Sequence, residues 1–157
     1  MPFLDSNQSY TFSRYFELGF EASELAQELG YTLTRKNLIL LQYHSELDRL
    51  QELRDRIEEV LPFVLLTNES ARREILIARV VTKLIHYTQE ELRIKDVLKV
   101  SNWLQGNLNY LLRLNSVNQL LVIEAKYEDL TCGFTQLVAE LAALDQWELL
   151  SLKCLNI

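Results

Sequence analysis

Glu124 and Lys126 stand two residues apart at the end of an apolar run, in the stretch LLVIEAKYEDLTCGF that covers positions 120–134. Side chains two apart along a strand project from the same face, so the spacing predicts that this carboxylate and this ammonium share one small volume. Two chemistries fit that pairing. One is an ion pair closing the end of a strand. The other is metal-assisted phosphodiester hydrolysis, in which hard oxygen ligands hold a divalent cation and a lysine sits beside the attacking water. Hydrolysis needs a further oxygen ligand from the neighbouring strand. The segment GNLNYLL is expected to be that neighbour, and it offers Asn109 where an aspartate would be wanted.

The elements that must position these residues are legible as changes of period. FELGFEASELAQELGY places Phe16, Phe20, Leu25 and Leu29 at helical spacing, with Gly30 as terminator. SELDRLQELRDRIEEVLP repeats Leu47, Leu50, Leu53, Ile57 and Val60 at intervals of three and four, with Ser45 as N-cap and Pro62 at the end. Barely two heptads are present, so the leucine stripe is read as a helix laid on its own domain. TNESARREILIARVVTKLIHY is expected to form a helix capped by Thr67 or Asn68, with Ile75, Leu76, Val80, Leu84 and Ile85 facing inward. Arg72, Arg73 and Arg79 on that helix are expected on a solvated face. RIKDVLKV, GNLNYLLRL and QLLVIEAKY then read as three extended runs separated by SNWLQ and NSVNQ. The last two runs form a hairpin across 115–119, and the third, apolar on both faces, is expected to be a central strand. Glu128 and Asp129 lead into a final helix, FTQLVAELAALDQW, with Phe134, Leu137, Val138, Leu141 and Leu144 on one side. WELLSLKCLNI is left as a short strand or tail.

Bulk properties narrow the function. A chain of 157 residues suits one domain with one core. A formal charge of −6 weighs against coating of nucleic acid by bulk electrostatics and leaves room for a local basic patch. Cys132 and Cys154 fit neither zinc spacing nor a disulfide framework, which points to a reducing cytoplasm. His44 and His86 are isolated and are assigned to no metal. The N-terminus does not read as a signal peptide, and no segment reaches the apolar length of a membrane span.

Four pieces in order, ESARREILI, GNLNYLL, LLVIEAK and GFTQLVAEL, resemble the PD-(D/E)XK nuclease superfamily. Small cyanobacterial-type proteins and the N-terminal nuclease domain of type I restriction subunits are the most similar groups. The resemblance spans Glu69 to Trp147, about half the chain. It implies an α/β fold with a restriction-endonuclease-like core of helix, three-stranded hairpin-containing mixed sheet and helix over 67–147. A helical N-terminal extension would occupy 1–62 and a short tail 148–157, with further strands missing at the C-terminus. It also implies Mg²⁺ as the ion and DNA as the substrate. Glu124 matches the glutamate that binds the ion, Lys126 the catalytic lysine, Glu69 the glutamate of the first core helix, with the matching Arg73 four residues on. Gln136 matches a glutamine positioned to hold Lys126 or a phosphate. Asn109 falls at the metal-binding aspartate, and its lost charge is expected to leave nuclease activity weak or absent. The alternative is a non-catalytic interaction protein, a homo-oligomer assembled through the helix at 45–60.

Overall fold

The computed structural model describes residues 4–5, 7–37, 39, 42–114, 119–126 and 130–154. The chain divides into two compact units, one formed by Met1–Thr34 with Leu92–Ile157, the other by Arg35–Glu91.

The first unit is a mixed α/β body. Its helices α1 (Phe12–Leu18) and α2 (Ala22–Glu28) break at Gly19, whose φ of 65° ends α1 in the left-handed conformation that glycine tolerates best. The single helix expected over 16–31 is therefore two. Strands β1 (Glu91–Lys99), β2 (Gln105–Leu114) and β3 (Gln119–Ile123) form an antiparallel sheet in the order β1-β2-β3. This corrects two expectations: the sheet is not mixed, and β3 is an edge strand with β2 at the centre. The β1–β2 connection is tightened by the Val100 and Ser101 amides, both donating to the Leu104 carbonyl. The expected β2–β3 turn at 115–118 and the Glu128–Asp129 lead-in lie outside the described residues.

Helix α6 runs from Leu130 to Cys154, so the segment expected as a short strand or tail continues the helix as far as Cys154. α1 and α2 both pack on α6. Close approach is possible because α6 turns small side chains inward: Ala139, Ala142 and Ala143 are buried in the core with Phe12, Tyr15, Leu25, Leu108 and Leu111. Buried hydroxyls find partners. Tyr15 donates to the Trp103 carbonyl at 2.7 Å, and Thr135 Oγ1 to the Phe20 carbonyl at 2.7 Å. Gly106, at φ 149°, lets α1 close onto β2: a Cβ there would stand 2.8 Å from the Phe12 ring.

The second unit is helical. α3 (Leu50–Val60) has Arg49, not the expected Ser45, at its N-cap position. A 3₁₀ turn, Leu61–Phe63, carries Pro62. α4 (Glu69–Arg72) is capped by Asn68, whose side chain accepts the Ala71 amide at 2.8 Å. A π-helical segment, Arg73–Ile77, then leads into α5 (Ala78–Thr88). The wider π turn shifts the helix face by part of a turn. Val81 is consequently the buried residue, and Val80, expected inside, is 45% exposed. α3 and α5 flank an apolar groove of about 400 Å³, to which Leu47, Leu50 and Leu53 of the leucine stripe contribute with Val80, Leu84 and Tyr87.

Candidate functional site

Glu124 and Lys126 lie just past the last paired residue of β3, outside the strand on which their expected common face depended. They meet nonetheless. Lys126 Nζ is 2.9 Å from Glu124 Oε1, with the two side chains only 12% and 5% exposed. Two local features hold the lysine. Its ammonium lies 4.6 Å from the centroid of the Phe16 ring, a cation–π contact. Its stem passes Gly133, where an added Cβ would stand 3.0 Å from Lys126 Cγ.

Gln136, one turn into α6, reaches the same carboxylate. Its Nε2 donates to Glu124 Oε1 at 2.9 Å and to Glu140 Oε1 at 2.8 Å. Two acidic side chains set that orientation, each offering the amide nitrogen an acceptor oxygen. The resemblance led to Gln136 holding Lys126 or a phosphate; in the structure it bridges two acids.

Glu140 is the member that sequence reasoning missed. It is fully buried. Burial, then the neighbouring Glu124 charge, push its carboxyl up to about 8, and a hydrogen bond with Glu124 acts in the same direction. At neutral pH Glu140 therefore carries a proton. With that proton, the contact between the two carboxyl groups becomes a hydrogen bond, and the cluster holds one negative charge on Glu124 against one positive charge on Lys126. The signal in the sequence is an acid at the i+4 position from Gln136, set between Ala139 and Leu141 in an otherwise apolar run.

The remaining predicted residues are placed differently. The β2–β3 register pairs Tyr110 with Ile123, so Asn109 and Glu124 are the next positions along the same ladder, beyond its last pair. Among the described residues no hydrogen bond or ion pair joins Asn109 to the cluster. Glu69 belongs to the second unit, at the first turn of α4, with its Oε1 3.8 Å from Arg73 Nη1. Arg73 is not on a solvated face: its side chain is 14% exposed and also faces Glu74 at 3.5 Å. The side chains of Cys132 and Cys154 lie outside those described.

In the wild-type chain Glu124 is committed to partners other than a metal ion. Mg²⁺ requires near-octahedral oxygen ligands and keeps several waters, whereas Glu124 Oε1 is already taken by an ammonium and an amide nitrogen. Gln136 Oε1 is buried beyond the reach of solvent and without a hydrogen-bond partner among the described residues. Among those residues no three His, Cys, Asp or Glu side chains gather as a metal-binding group.

No family profile, curated protein or solved structure matches the chain. Among the described residues no helix is long and apolar enough to cross a membrane.

Proposed function

We propose that the chain is a nuclease-like protein of PD-(D/E)XK type, with a restriction-endonuclease-like core and DNA as its substrate class, whose hydrolytic site is incomplete. The observation that carries this reading is convergence. Glu124 and Lys126 leave β3 while Gln136 comes from α6, and the three meet within hydrogen-bond distance in the combination the resemblance assigns to a nuclease site. Asn109 follows in the adjoining strand at the position next along the β2–β3 ladder. A carboxamide keeps one ligand oxygen but brings no charge, and Mg²⁺ sites rest mainly on carboxylates. Hydrolysis is accordingly weak or absent in the chain as it stands.

Asn109→Asp restores the charge opposite Glu124. Plasmid DNA incubated with Mg²⁺ is expected to remain supercoiled with the wild-type chain and to be nicked by the N109D variant. No cleavage and no metal binding by either form would remove the nuclease reading. A second reading, a non-catalytic interaction protein, is favoured by the surface: α3 has no fully buried residue, and large apolar side chains stand exposed on α6.

A further inference from the structure

A second cleft between α3 and α5, of about 230 Å³, is lined by Glu52, Leu53, Arg56, Arg79, Thr82 and Lys83, all within the Arg35–Glu91 unit. Three of these side chains are cationic and one is anionic, so the lining is positive by two charges. Each oxygen of the one carboxylate is already engaged. Arg56 Nη2 lies 3.0 Å from Glu52 Oε1, and Lys83 Nζ lies 3.2 Å from Glu52 Oε2. Arg79 is left over: it is half-buried, and among the described residues no ion pair or hydrogen bond engages its guanidinium. Lys83 is drawn in as well, with its side chain 18% exposed. Thr82 adds no donor, because its hydroxyl hydrogen is directed at the Ala78 and Arg79 carbonyls, 2.9 and 3.0 Å away.

Like charges gathered in a concave place repel one another, and an anion among them removes that cost. A guanidinium presents a planar fork that matches phosphate oxygens two at a time, and an ammonium adds a point charge. We infer that this cleft is a phosphate-binding site, taking a phosphate dianion with Arg79 as its fork and with Arg56 and Lys83 at its sides. Charge selects the dianion. Inorganic phosphate or a phosphomonoester carries close to two negative charges at pH 8, which the lining balances, whereas a phosphodiester carries one. Size agrees: pockets for drug-sized ligands begin at roughly 300 Å³, so this one admits a phosphoryl group and leaves any substituent in water. The inference is independent of the nuclease reading, since it uses none of Asn109, Glu124, Lys126 and Gln136.

Isothermal titration calorimetry of the full chain at pH 8 and low salt, where exposed charges are least screened, tests it. Inorganic phosphate and phenyl phosphate are each expected to saturate one site per chain, and the singly charged diester dimethyl phosphate is expected not to. Tighter binding of phenyl phosphate would assign the site to monoesters, and equal or weaker binding to free phosphate. Arg79→Gln and Arg56→Gln are each expected to weaken phosphate binding about tenfold, the loss of one charge-assisted hydrogen bond, with circular dichroism unchanged. Arg14→Gln removes the same charge from an exposed position in the other unit and is expected to leave the affinity as it is. Glu52→Gln is expected to tighten binding about tenfold, because Arg56 and Lys83 lose the carboxylate that competes for them. Absence of saturable phosphate binding overturns the proposal, as do equal losses from R14Q and R79Q, an E52Q variant that binds no more tightly, or dimethyl phosphate binding as tightly as inorganic phosphate.

Discussion

Lys126→Met is expected to destabilise the chain by about 3–5 kcal/mol, the cost of leaving one member of a buried ion pair without its partner. Exposures of 12% for Lys126 and 5% for Glu124 put the pair well inside the range where screening by water is slight. The substitution also removes the contact with the Phe16 ring. Methionine fills the stem's volume beside Gly133, so the loss reports charge and not packing. For a chain of this size the shift in Tm is on the order of 10 °C. The double variant E124Q/K126M, in which neither charge remains, is expected to recover most of the loss. Urea unfolding at pH 7 measures all three proteins, and a single-variant loss below about 1 kcal/mol would place the pair with ordinary surface salt bridges.

Glu140→Gln is expected to leave stability unchanged in acid and to raise it increasingly as the pH climbs. The Glu140 carboxyl is raised from 4.5 to about 8 in the folded chain. Below about 4.5 both folded and unfolded chains hold the proton, and its contribution to stability is fully present. Between 4.5 and 8 the folded chain keeps a proton that the unfolded chain releases, so stability falls as pH rises, by up to about a tenfold change in the folding equilibrium per pH unit. Above about 8 folded Glu140 ionises as well and the loss levels off. Glutamine carries a permanent N–H donor toward Glu124 and does not titrate. The variant should match the wild type near pH 5 and exceed its stability by several kcal/mol at pH 9. Other carboxylates titrate in both proteins, Glu52 among them with its carboxyl lowered by Lys83, so the difference between the two unfolding curves is the quantity to follow. Parallel curves from pH 5 to pH 9 would mean that Glu140 does not hold its proton.

Much of the architecture was legible because hydrophobic period is a local signal. The three extended runs became β1, β2 and β3, and of the two cap candidates Thr67 and Asn68 it is Asn68 that opens α4. Properties that depend on neighbours were not legible. QLLVI reads as a buried central strand because it is apolar on both faces, yet sheet order is decided by pairing, and β3 lies at the edge. Of the stripe Phe134, Leu137, Val138, Leu141 and Leu144, which reads as the core side of its helix, Leu144 is buried and Val138 packs against the core, while Phe134 and Leu141 stand exposed. The packed side also carries Thr135 and alanines, where α1 and α2 meet α6. In α5 the burial phase moved from Val80 to Val81 through a π segment that no residue type announces.

The candidate site shows the same division. Lys126 and Glu124 were paired from a strand geometry that ends one residue too early, at Ile123. They converge because Gly133 admits the lysine stem and Gln136 draws the carboxylate toward α6. Glu140 escaped notice because an acid in a helix is ordinarily a solvated residue, and only the packing of α6 reveals that this one is enclosed. Its proton is what allows two carboxyl groups and one ammonium to share a closed space.

Electron paramagnetic resonance of Mn²⁺ titrated into the wild-type chain at pH 7, with Glu124→Gln as the control, tests most directly whether that cluster is closed around its own charges. The expected result is a free-ion signal undiminished by either protein up to millimolar Mn²⁺. Loss of signal equivalent to one ion per chain, present in the wild type and abolished by E124Q, would contradict it.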